Sequence, residues 1–375
     1  MVVSLNISLD GQRGDWYTNH DRVKGTVSVG VTSSTEVTRI KVALIGISMT
    51  HVNRVYDVGQ KFLDQVEERS VVLSMTNQLF PPPDKQFGSS YCLKPDTYSW
   101  PFDFEIPMKT TGLQKTILPP SLSDVPKDVA YIRYYLNAVV DYSVPVLRIG
   151  NNSMSAESSI PLVFLPTDPE DIETVSTYGV LHTSKSALIP KSKLGGLISK
   201  LRTTFAHDMA STCTNAKFTV RMELLLTPAS KFSWFLEALP AAGQEMRVLG
   251  VKVVLKSYTH VRAKNLDETV ENALVLLERR DLALAPGDVT AQMGSPVLIV
   301  PSVVPPTFRG PNVQREYRIE VRVYWSHTSS NLMHKAVARK RVWIRSGMQA
   351  LPNYETGESV RPNRDYPQHK WYYKI

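Results

Sequence analysis

The most specific short motif in the sequence is Leu351-Pro352-Asn353-Tyr354, close to the C-terminal end. A segment of this L-P-x-Y form is extended and polyproline-like, so its proline packs between aromatic rings and its tyrosine fills a neighbouring groove. WW domains bind proline-containing peptides in this way. The motif follows closely on Arg339–Ser346, which has the pattern of a final strand. Leu351, Pro352 and Tyr354 are therefore the candidate WW-binding residues, although a four-residue pattern also arises by chance.

A second candidate site is the basic segment Lys191–Phe205, KSKLGGLISKLRTTF. As a helix, it would place five apolar side chains on one face and its basic residues largely elsewhere. Those basic residues are Lys191, Lys193, Lys200 and Arg202. Such a helix can lie on an anionic membrane surface. It can equally dock its apolar face on a folded domain, and the Gly195-Gly196 pair costs about 2 kcal/mol of helix propensity.

Sequence patterns for catalysis, metal binding and cofactor binding are missing. The chain has no H-E-x-x-H, G-x-S-x-G, G-x-x-x-x-G-K-[S/T] or paired C-x-x-C pattern. Asp168, Glu170 and Asp171 lie close together, but they stand among prolines and are interpreted as a solvated turn. We therefore predict no catalytic residues, no metal site and no cofactor, in a protein that is not an enzyme.

Length and composition indicate a two-domain globular protein. The 375 residues exceed the usual size of one domain, which is roughly 100–200 residues. No apolar run reaches the length of about 18 residues that a transmembrane helix needs. The N-terminal segment alternates apolar and polar residues like a strand and unlike a signal peptide. Cys92 and Cys213 are isolated and form no disulfide framework, so a cytoplasmic setting is expected.

The net charge of +8 is concentrated in two parts of the chain. From Met333 to the C-terminus there are nine Lys/Arg against three Asp/Glu, and Lys185–Arg202 has five basic residues and no acidic one. Localised positive charge favours anionic partners such as phosphorylated tails, acidic lipids or nucleic acid. The alternative is that these charges only form solvated faces of the surface. Arginine and aromatic residues interleave in the tail, but no RNA-binding motif accompanies them. We predict no nucleic-acid partner.

Short runs of alternating apolar and polar residues recur along the whole chain. The strands that they predict must position the candidate binding residues. Each run is bounded by Gly, Pro, Asn or Ser, which is typical of an antiparallel β-sandwich. Examples are Val23–Val29, Ile40–Ile47, Phe218–Leu226 and Tyr317–Tyr324. One region, Lys231–Gln244, shows no clear strand and is interpreted as a loop or a short helix.

Two pairs of segments repeat in the same order, which indicates a duplicated domain. Residues Val37–Val52 and Val248–Val261 share V-x-x-[I/V]-K-V-x-L, and both end on Thr-His-Val. In the second pair, a Pro-Pro-[Ser/Thr] step at Pro119 or Pro305 precedes a strand rich in apolar residues. Strands share a binary pattern, but that pattern requires neither the proline step nor Thr-His-Val.

Together these motifs resemble the arrestin family, specifically the α-arrestins (arrestin-related trafficking adaptors), and most of all their fungal members. The motifs are Asp21–Val29, Ile40–Gly46, Trp100–Pro107 and Ile117–Val140 in the first half, and Val251–Ala263 and Pro305–Val323 in the second. The resemblance covers most of residues 1–346. It implies an all-β fold of two tandem antiparallel β-sandwich domains, which are immunoglobulin-like.

The expected organisation has four parts. Residues 1–166 form an arrestin N-terminal-like sandwich, and residues 167–216 form a polar and basic linker. Residues 217–346 form an arrestin C-terminal-like sandwich, and residues 347–375 form a flexible tail with the L-P-x-Y motif. The first boundary follows a short apolar segment ending at Pro166, after which the chain becomes polar.

The resemblance also implies a function. In α-arrestins a motif of this kind recruits HECT-type ubiquitin ligases through their WW domains, while the sandwiches bind membrane proteins. We therefore expect a non-enzymatic adaptor that binds a plasma-membrane transporter or receptor and promotes its ubiquitination and endocytic trafficking. Such an adaptor is cytoplasmic and is recruited to the plasma membrane or endosomes, with anionic lipid as a further candidate partner. The alternative is an arrestin-fold signalling or vesicle-sorting scaffold without ligase recruitment.

Overall fold

The fold is that of a computed structural model of the chain. The structure describes residues 3–11, 16–57, 61–82, 91–112, 115–123, 125, 129–146, 150–168, 178–189, 212–294, 296–328 and 332–348. The strands of the first half are β1 (Val3–Leu9), β2 (Arg22–Val31), β3 (Thr35–Asp57), β4 (Lys61–Phe80), β5 (Tyr91–Leu93), β6 (Asp96–Glu105), β7 (Ala130–Val146) and β8 (Gly150–Leu162).

The second half also consists almost entirely of strands among its described residues. Its strands are β9 (Tyr178–Ile189), β10 (Thr212–Glu223), β11 (Leu225–Leu226), β12 (Lys231–Phe232), β13 (Trp234–Pro240), β14 (Met246–Ala263), β15 (Leu266–Arg279), β16 (Gly287–Asp288), β17 (Leu298–Ile299), β18 (Phe308–Arg309), β19 (Val313–His327) and β20 (His334–Ile344). A single helical turn, α1 (Val289–Gln292), precedes β17.

The larger sheets of the two halves have the same strand arrangement. In the first half the order is β4-β3-β7-β8, and in the second half β15-β14-β19-β20, with the two-residue β11 added at the edge. Each consists of a long hairpin whose first strand pairs with the next central strand. Smaller sheets, β1-β2-β6 and β16-β13-β10-β9, lie in the first and second halves respectively. The predicted all-β fold with antiparallel sandwiches is confirmed.

A tyrosine in each half makes the same hydrogen bond to the repeated proline step. The Tyr134 hydroxyl donates to the Pro119 carbonyl at 2.6 Å, and the Tyr317 hydroxyl donates to the Pro305 carbonyl at 2.7 Å. Both tyrosines are buried and lie on a central strand, β7 or β19. Burial also raises the pKa of Tyr134 well above its ordinary value, so its hydroxyl stays a donor.

The hydroxyl residue after each proline pair ties the step to the end of its own half. The Ser121 amide donates to the Phe164 carbonyl at 2.8 Å, and the Phe164 amide donates to Ser121 Oγ at 2.9 Å. Thr307 and Ile344 exchange the same two hydrogen bonds, both at 2.9 Å. The Pro-Pro-[Ser/Thr] repeat therefore marks equivalent structural positions, as expected for a duplicated domain.

These two tyrosines give a matched test of the repeat. We expect Tyr134→Phe and Tyr317→Phe each to lower the free energy of unfolding by about 1–2 kcal/mol, because each leaves a buried carbonyl without its donor. The half-buried Tyr135 on the same strand is the control, and Tyr135→Phe should change stability by less than about 0.5 kcal/mol. Urea unfolding of the three variants measures this. Equal effects at all three positions would show that the shared hydrogen bond is unimportant.

The second half contributes to the hydrophobic core of the first half. The first core is formed by both sheets of the first half, but it also contains Val261, Ala263, Phe308 and Val313. The second core is formed only by residues from Ala216 onward. The two sandwiches thus meet through buried apolar side chains as well as polar contacts.

The interpretation of Lys231–Gln244 as a loop or short helix is wrong. Strand β13 lies within it and pairs with β10 and β16. Trp234, Leu236 and Ala238 point into the second core, as alternation requires. The pattern was obscured because Phe235, on the opposite face, is also apolar; its ring packs against the Arg221 guanidinium at 5.4 Å.

The segment predicted as a linker, residues 167–216, contains strand structure. Strand β9 occupies Tyr178–Ile189 and pairs with β10 along its whole length. Strand β10 itself begins at Thr212, before the expected start of the second sandwich. Strand β9 is at the edge of its sheet, and edge strands carry polar residues, so composition alone suggested a connection.

Candidate functional site

The candidate binding residues fall in two segments outside the described residues. Leu351, Pro352 and Tyr354 lie beyond Met348, the last residue that the structure describes. The four basic residues of the second segment, Lys191, Lys193, Lys200 and Arg202, lie between β9 and β10. The structure therefore places only the residues from which these two segments start.

The C-terminal tail starts from a short segment held by hydrogen bonds, Arg345–Met348. The Arg345 amide donates to the Leu226 carbonyl at 2.7 Å. Asp168 Oδ1 accepts from the Ser346 amide at 2.7 Å and from its hydroxyl at 3.0 Å, and Oδ2 accepts from the Gly347 amide at 3.3 Å. The Asp168 amide in turn donates to the Met348 carbonyl at 2.9 Å. We refer to Asp168 with residues 346–348 as the tail anchor.

The tail anchor corrects the interpretation of Asp168 as part of a solvated turn. Burial raises the pKa of this carboxyl, even though the hydrogen bonds from Ser346 and Gly347 and the charge of Arg345 lower it. The cost of removing the carboxylate from water is thus only partly offset by its hydrogen bonds. Glu170 and Asp171, the other two acidic residues of the predicted turn, lie outside the described residues.

The residue before Asp168 fixes the tail anchor to the first sandwich. The Thr167 amide and hydroxyl donate to Asn19 Oδ1 at 2.9 and 3.2 Å. The Asn19 side-chain amide donates to the Pro107 carbonyl at 3.0 Å. Asn19 and Thr167 are both buried. The end of β20, in the second sandwich, is therefore held at the point where the chain leaves the first sandwich.

Asn312 connects the two sandwiches through a buried hydrogen-bond network. Its Oδ1 accepts from the Ser48 hydroxyl at 2.5 Å, and its Nδ2 donates to Thr50 Oγ1 at 3.2 Å and to the Glu68 carbonyl at 3.3 Å. The Thr50 hydroxyl also donates to the Arg262 carbonyl at 2.6 Å. Thr50 begins the first Thr-His-Val repeat, so the repeated motif lies where the halves meet.

Glu320 is the centre of a charged cluster on the outer face of β14, β19 and β20. Its side chain is only 2% exposed and accepts from Arg322 Nε at 2.5 Å and from Arg339 Nε at 2.6 Å, with Lys256 Nζ at 3.7 Å. Burial alone raises the pKa of Glu320, but these hydrogen bonds and positive charges outweigh it and hold the pKa at about 2. The carboxylate is therefore ionised at neutral pH and is not poised for proton transfer.

Further ion pairs extend this cluster across the outer face of the sheet. Each joins residues of neighbouring strands at 2.6–2.8 Å: Lys256–Glu271, Lys252–Glu278 and Arg341–Glu316. The Arg318 guanidinium lies over the Tyr258 ring at 5.0 Å. We call this surface the charged face. It combines ion-paired side chains with arginines that are partly exposed, such as Arg339 and Arg341.

The described ranges contain little that could form another kind of site. No group of three or more His, Cys, Asp or Glu side chains there is placed to hold a metal ion. Two cavities among the described residues enclose about 220 and 270 Å³, below the roughly 300–1,000 Å³ of usual small-molecule sites. In the same part of the chain, no helix has the length and apolar character needed to span a membrane.

The described residues thus form two antiparallel sandwiches with a shared buried interface and a charged outer face. Residues 5–160 match the family described as Arrestin (or S-antigen), N-terminal domain. Residues 5–160 therefore form an arrestin-family domain, and this domain supports a role of the chain as an adaptor or scaffold of the arrestin type. A comparison with curated proteins found no match.

The tail anchor, the hydrogen-bond network around Asn312 and the charged face were not identified from the sequence. Asn312 and Ser48 are 264 residues apart, and no local pattern connects them. Glu320 had a local signal, because Arg318, Glu320 and Arg322 alternate along one strand and therefore share a face.

Proposed function

We propose that the chain is an α-arrestin, of the fungal-like kind, that joins a membrane-protein cargo to a HECT-type ubiquitin ligase. Leu351, Pro352 and Tyr354 bind a WW domain of the ligase, and the sandwiches bind the cytosolic part of a plasma-membrane transporter or receptor. The observation that supports this most is the position of the L-P-x-Y motif, which starts three residues after the tail anchor of an arrestin-type fold.

The mechanism is a gain in effective concentration. A ligase held by the tail meets lysines of the bound cargo at a local concentration far above its concentration in solution, so a weak encounter becomes efficient transfer. The chemistry belongs to the ligase. The adaptor acts in the cytoplasm and is recruited to the plasma membrane or endosomes, where Lys191, Lys193, Lys200 and Arg202 contact anionic lipid.

The proposed domain division rests on the same α-arrestin assignment. Residues 1–166 and 217–346 are the two arrestin-like sandwiches, and residues 347–375 present the motif. The segment 167–216 connects them and adds β9 to the second sandwich. The first sandwich contains all of the residues that match the family.

Replacing Pro352 and Tyr354 together with alanine tests the proposal. We expect the double variant to lose at least about tenfold in affinity for a WW-containing ligase fragment, because the peptide loses both groups that fill the groove. The matched control is Pro362→Ala with Tyr366→Ala, which removes the same residue types from the same tail outside the motif. Both variants should unfold at the wild-type urea concentration. Undiminished binding by the first variant would refute ligase recruitment through this motif.

A further inference from the structure

Strand β15 forms one edge of the larger sheet of the second half. Among the described residues, β14 is the strand that pairs with it, and no strand pairs with its other side. Ala273, Leu274 and Val275, in the middle of β15, are all exposed. Because consecutive residues of a strand point to opposite faces, neither face of β15 is covered at this point. An apolar edge of this kind is a template on which another strand can pair.

Further apolar side chains extend this surface beside the edge. Leu274 and Val303 line the same opening, and Val303 is 63% exposed. Strand β17 contacts β15 and carries Ile299, which is 50% exposed. Apolar patches next to a strand edge are typical of surfaces that another molecule covers.

The charges of β15 indicate which molecule that is, because they are divided between the two ends of the strand. Asp267 and Glu268 lie at its start, and Arg279 and Arg280 lie at its end. In the part of the chain that the structure describes, the first three of these form no ion pair, whereas Arg280 bonds to Glu278 of β15. A second copy of β15 running antiparallel would place its basic end beside the acidic end of the first. A parallel copy would bring like charges together, which is destabilising.

We propose that two copies of the chain associate through β15, paired antiparallel, so that their larger second-half sheets become continuous. The contact is isologous, and its two-fold axis places one residue opposite its own copy. With Leu274 at the axis, Glu268 lies opposite Arg280 of the second copy, and Asp267 lies diagonally across from Arg279 of that copy. The exposed apolar middle of each strand then covers that of the other.

A bulge in β15 limits the strength of this contact. Leu276 has no partner in β14, because the register shifts between Val253 and Val254. Bulges at a sheet edge twist the strand and shorten the stretch that can pair. An interface made mainly of one strand pair also falls below the roughly 1,200 Å² of a standard interface. We therefore expect a reversible dimer with a Kd of about 10–100 µM.

Sedimentation velocity of the full chain, at concentrations from about 1 to 300 µM, measures this association. Two charge-reversed variants test the pairing: Asp267→Lys with Glu268→Lys, and Arg279→Glu with Arg280→Glu. We expect each variant alone to stay monomeric, since like charges then meet at both ends of the strand pair. An equimolar mixture of the two should dimerise like the wild type, because every pair of ends is again oppositely charged.

Two further variants complete the experiment. Lys217→Glu with Arg247→Glu reverses two exposed basic residues elsewhere in the second half, so it changes the net charge as much as the arginine variant does and should dimerise like the wild type. Val275→Lys should weaken the dimer at least about tenfold, because a lysine on an edge strand opposes pairing.

A wild-type chain that stays monomeric at every concentration would overturn the proposal, and another segment of the chain or a different protein would then be the occupant of this edge. A mixture of the two charge-reversed variants that stays monomeric would overturn it as well. Neither result bears on ligase recruitment, because the dimer contact uses only residues of the second sandwich.

Discussion

Replacing Asn312 with alanine is expected to weaken the contact between the two sandwiches and to lower the free energy of unfolding by about 2–4 kcal/mol. The substitution removes a side chain that bonds to Ser48, Thr50 and Glu68 at once. It leaves the buried Ser48 hydroxyl without this acceptor. Unsatisfied buried groups cost more than the net worth of the bonds themselves.

Denaturant unfolding followed by two probes measures the effect of Asn312→Ala. Trp100 reports on the first sandwich and Trp325 on the second, through variants in which the other tryptophans are replaced by phenylalanine. We expect one transition in the parent protein and two separated transitions after Asn312→Ala, because the shared interface couples the halves. Asn6→Ala, at an exposed position on β1, is the control and should stay within about 0.5 kcal/mol. A single unshifted transition in the Asn312 variant would contradict the assigned role.

The second large effect is expected at Glu320. Its pKa is about 2 in the folded protein against 4.5 as the ordinary value. A lowered folded-state pKa means that the carboxylate stabilises the fold above pH 4.5 and that this contribution is lost as the pH falls through about 2. The contribution at neutral pH is about 3 kcal/mol. We expect Glu320→Gln to lose most of it and to show a flatter acid limb in a plot of stability against pH.

Glu271→Gln is the matched control for Glu320→Gln. Glu271 also bonds to Lys256, but its side chain is 45% exposed and has no arginine partner among the ion pairs of the charged face. Exposed pairs contribute up to about 1 kcal/mol, so the control should remain below that value. Urea unfolding from pH 2 to pH 7 gives both numbers. Similar losses at the two positions, or an unchanged acid limb for Glu320→Gln, would show that the cluster does not stabilise the fold.

The fold and the family could be predicted because their signals are local and repeated. Alternating apolar residues identified the strands, and the Pro-Pro-[Ser/Thr] step identified equivalent points in the two halves. That step recurs because a buried tyrosine, Tyr134 or Tyr317, needs a carbonyl acceptor at the same place in each sandwich. The family resemblance drawn from these residues is confirmed over residues 5–160, while the α-arrestin subtype stays a prediction.

What the sequence did not predict depends on contacts between distant residues. Asp168 looked like a solvated acid because its neighbours are polar, and its three hydrogen bonds come from residues 178 and 179 positions later. The alternation of Arg318, Glu320 and Arg322 was visible. However, the burial of Glu320 depends on the register that brings Arg339 opposite it. Strand β13 was missed because Phe235 and Leu239, on the face away from the core, are also apolar and obscure the alternation.

The four second-half side chains in the first core have a practical consequence for anyone who divides this protein. A fragment ending near Pro166 would lack Val261, Ala263, Phe308 and Val313, and so would expose an apolar surface that is normally covered. Such a fragment should self-associate when expressed alone. Exchange of halves between relatives should succeed only when these four residues and their contact surface are transplanted as one set. The larger sheets of the two halves share one strand arrangement, but the core of the first half is complete only with side chains from the second.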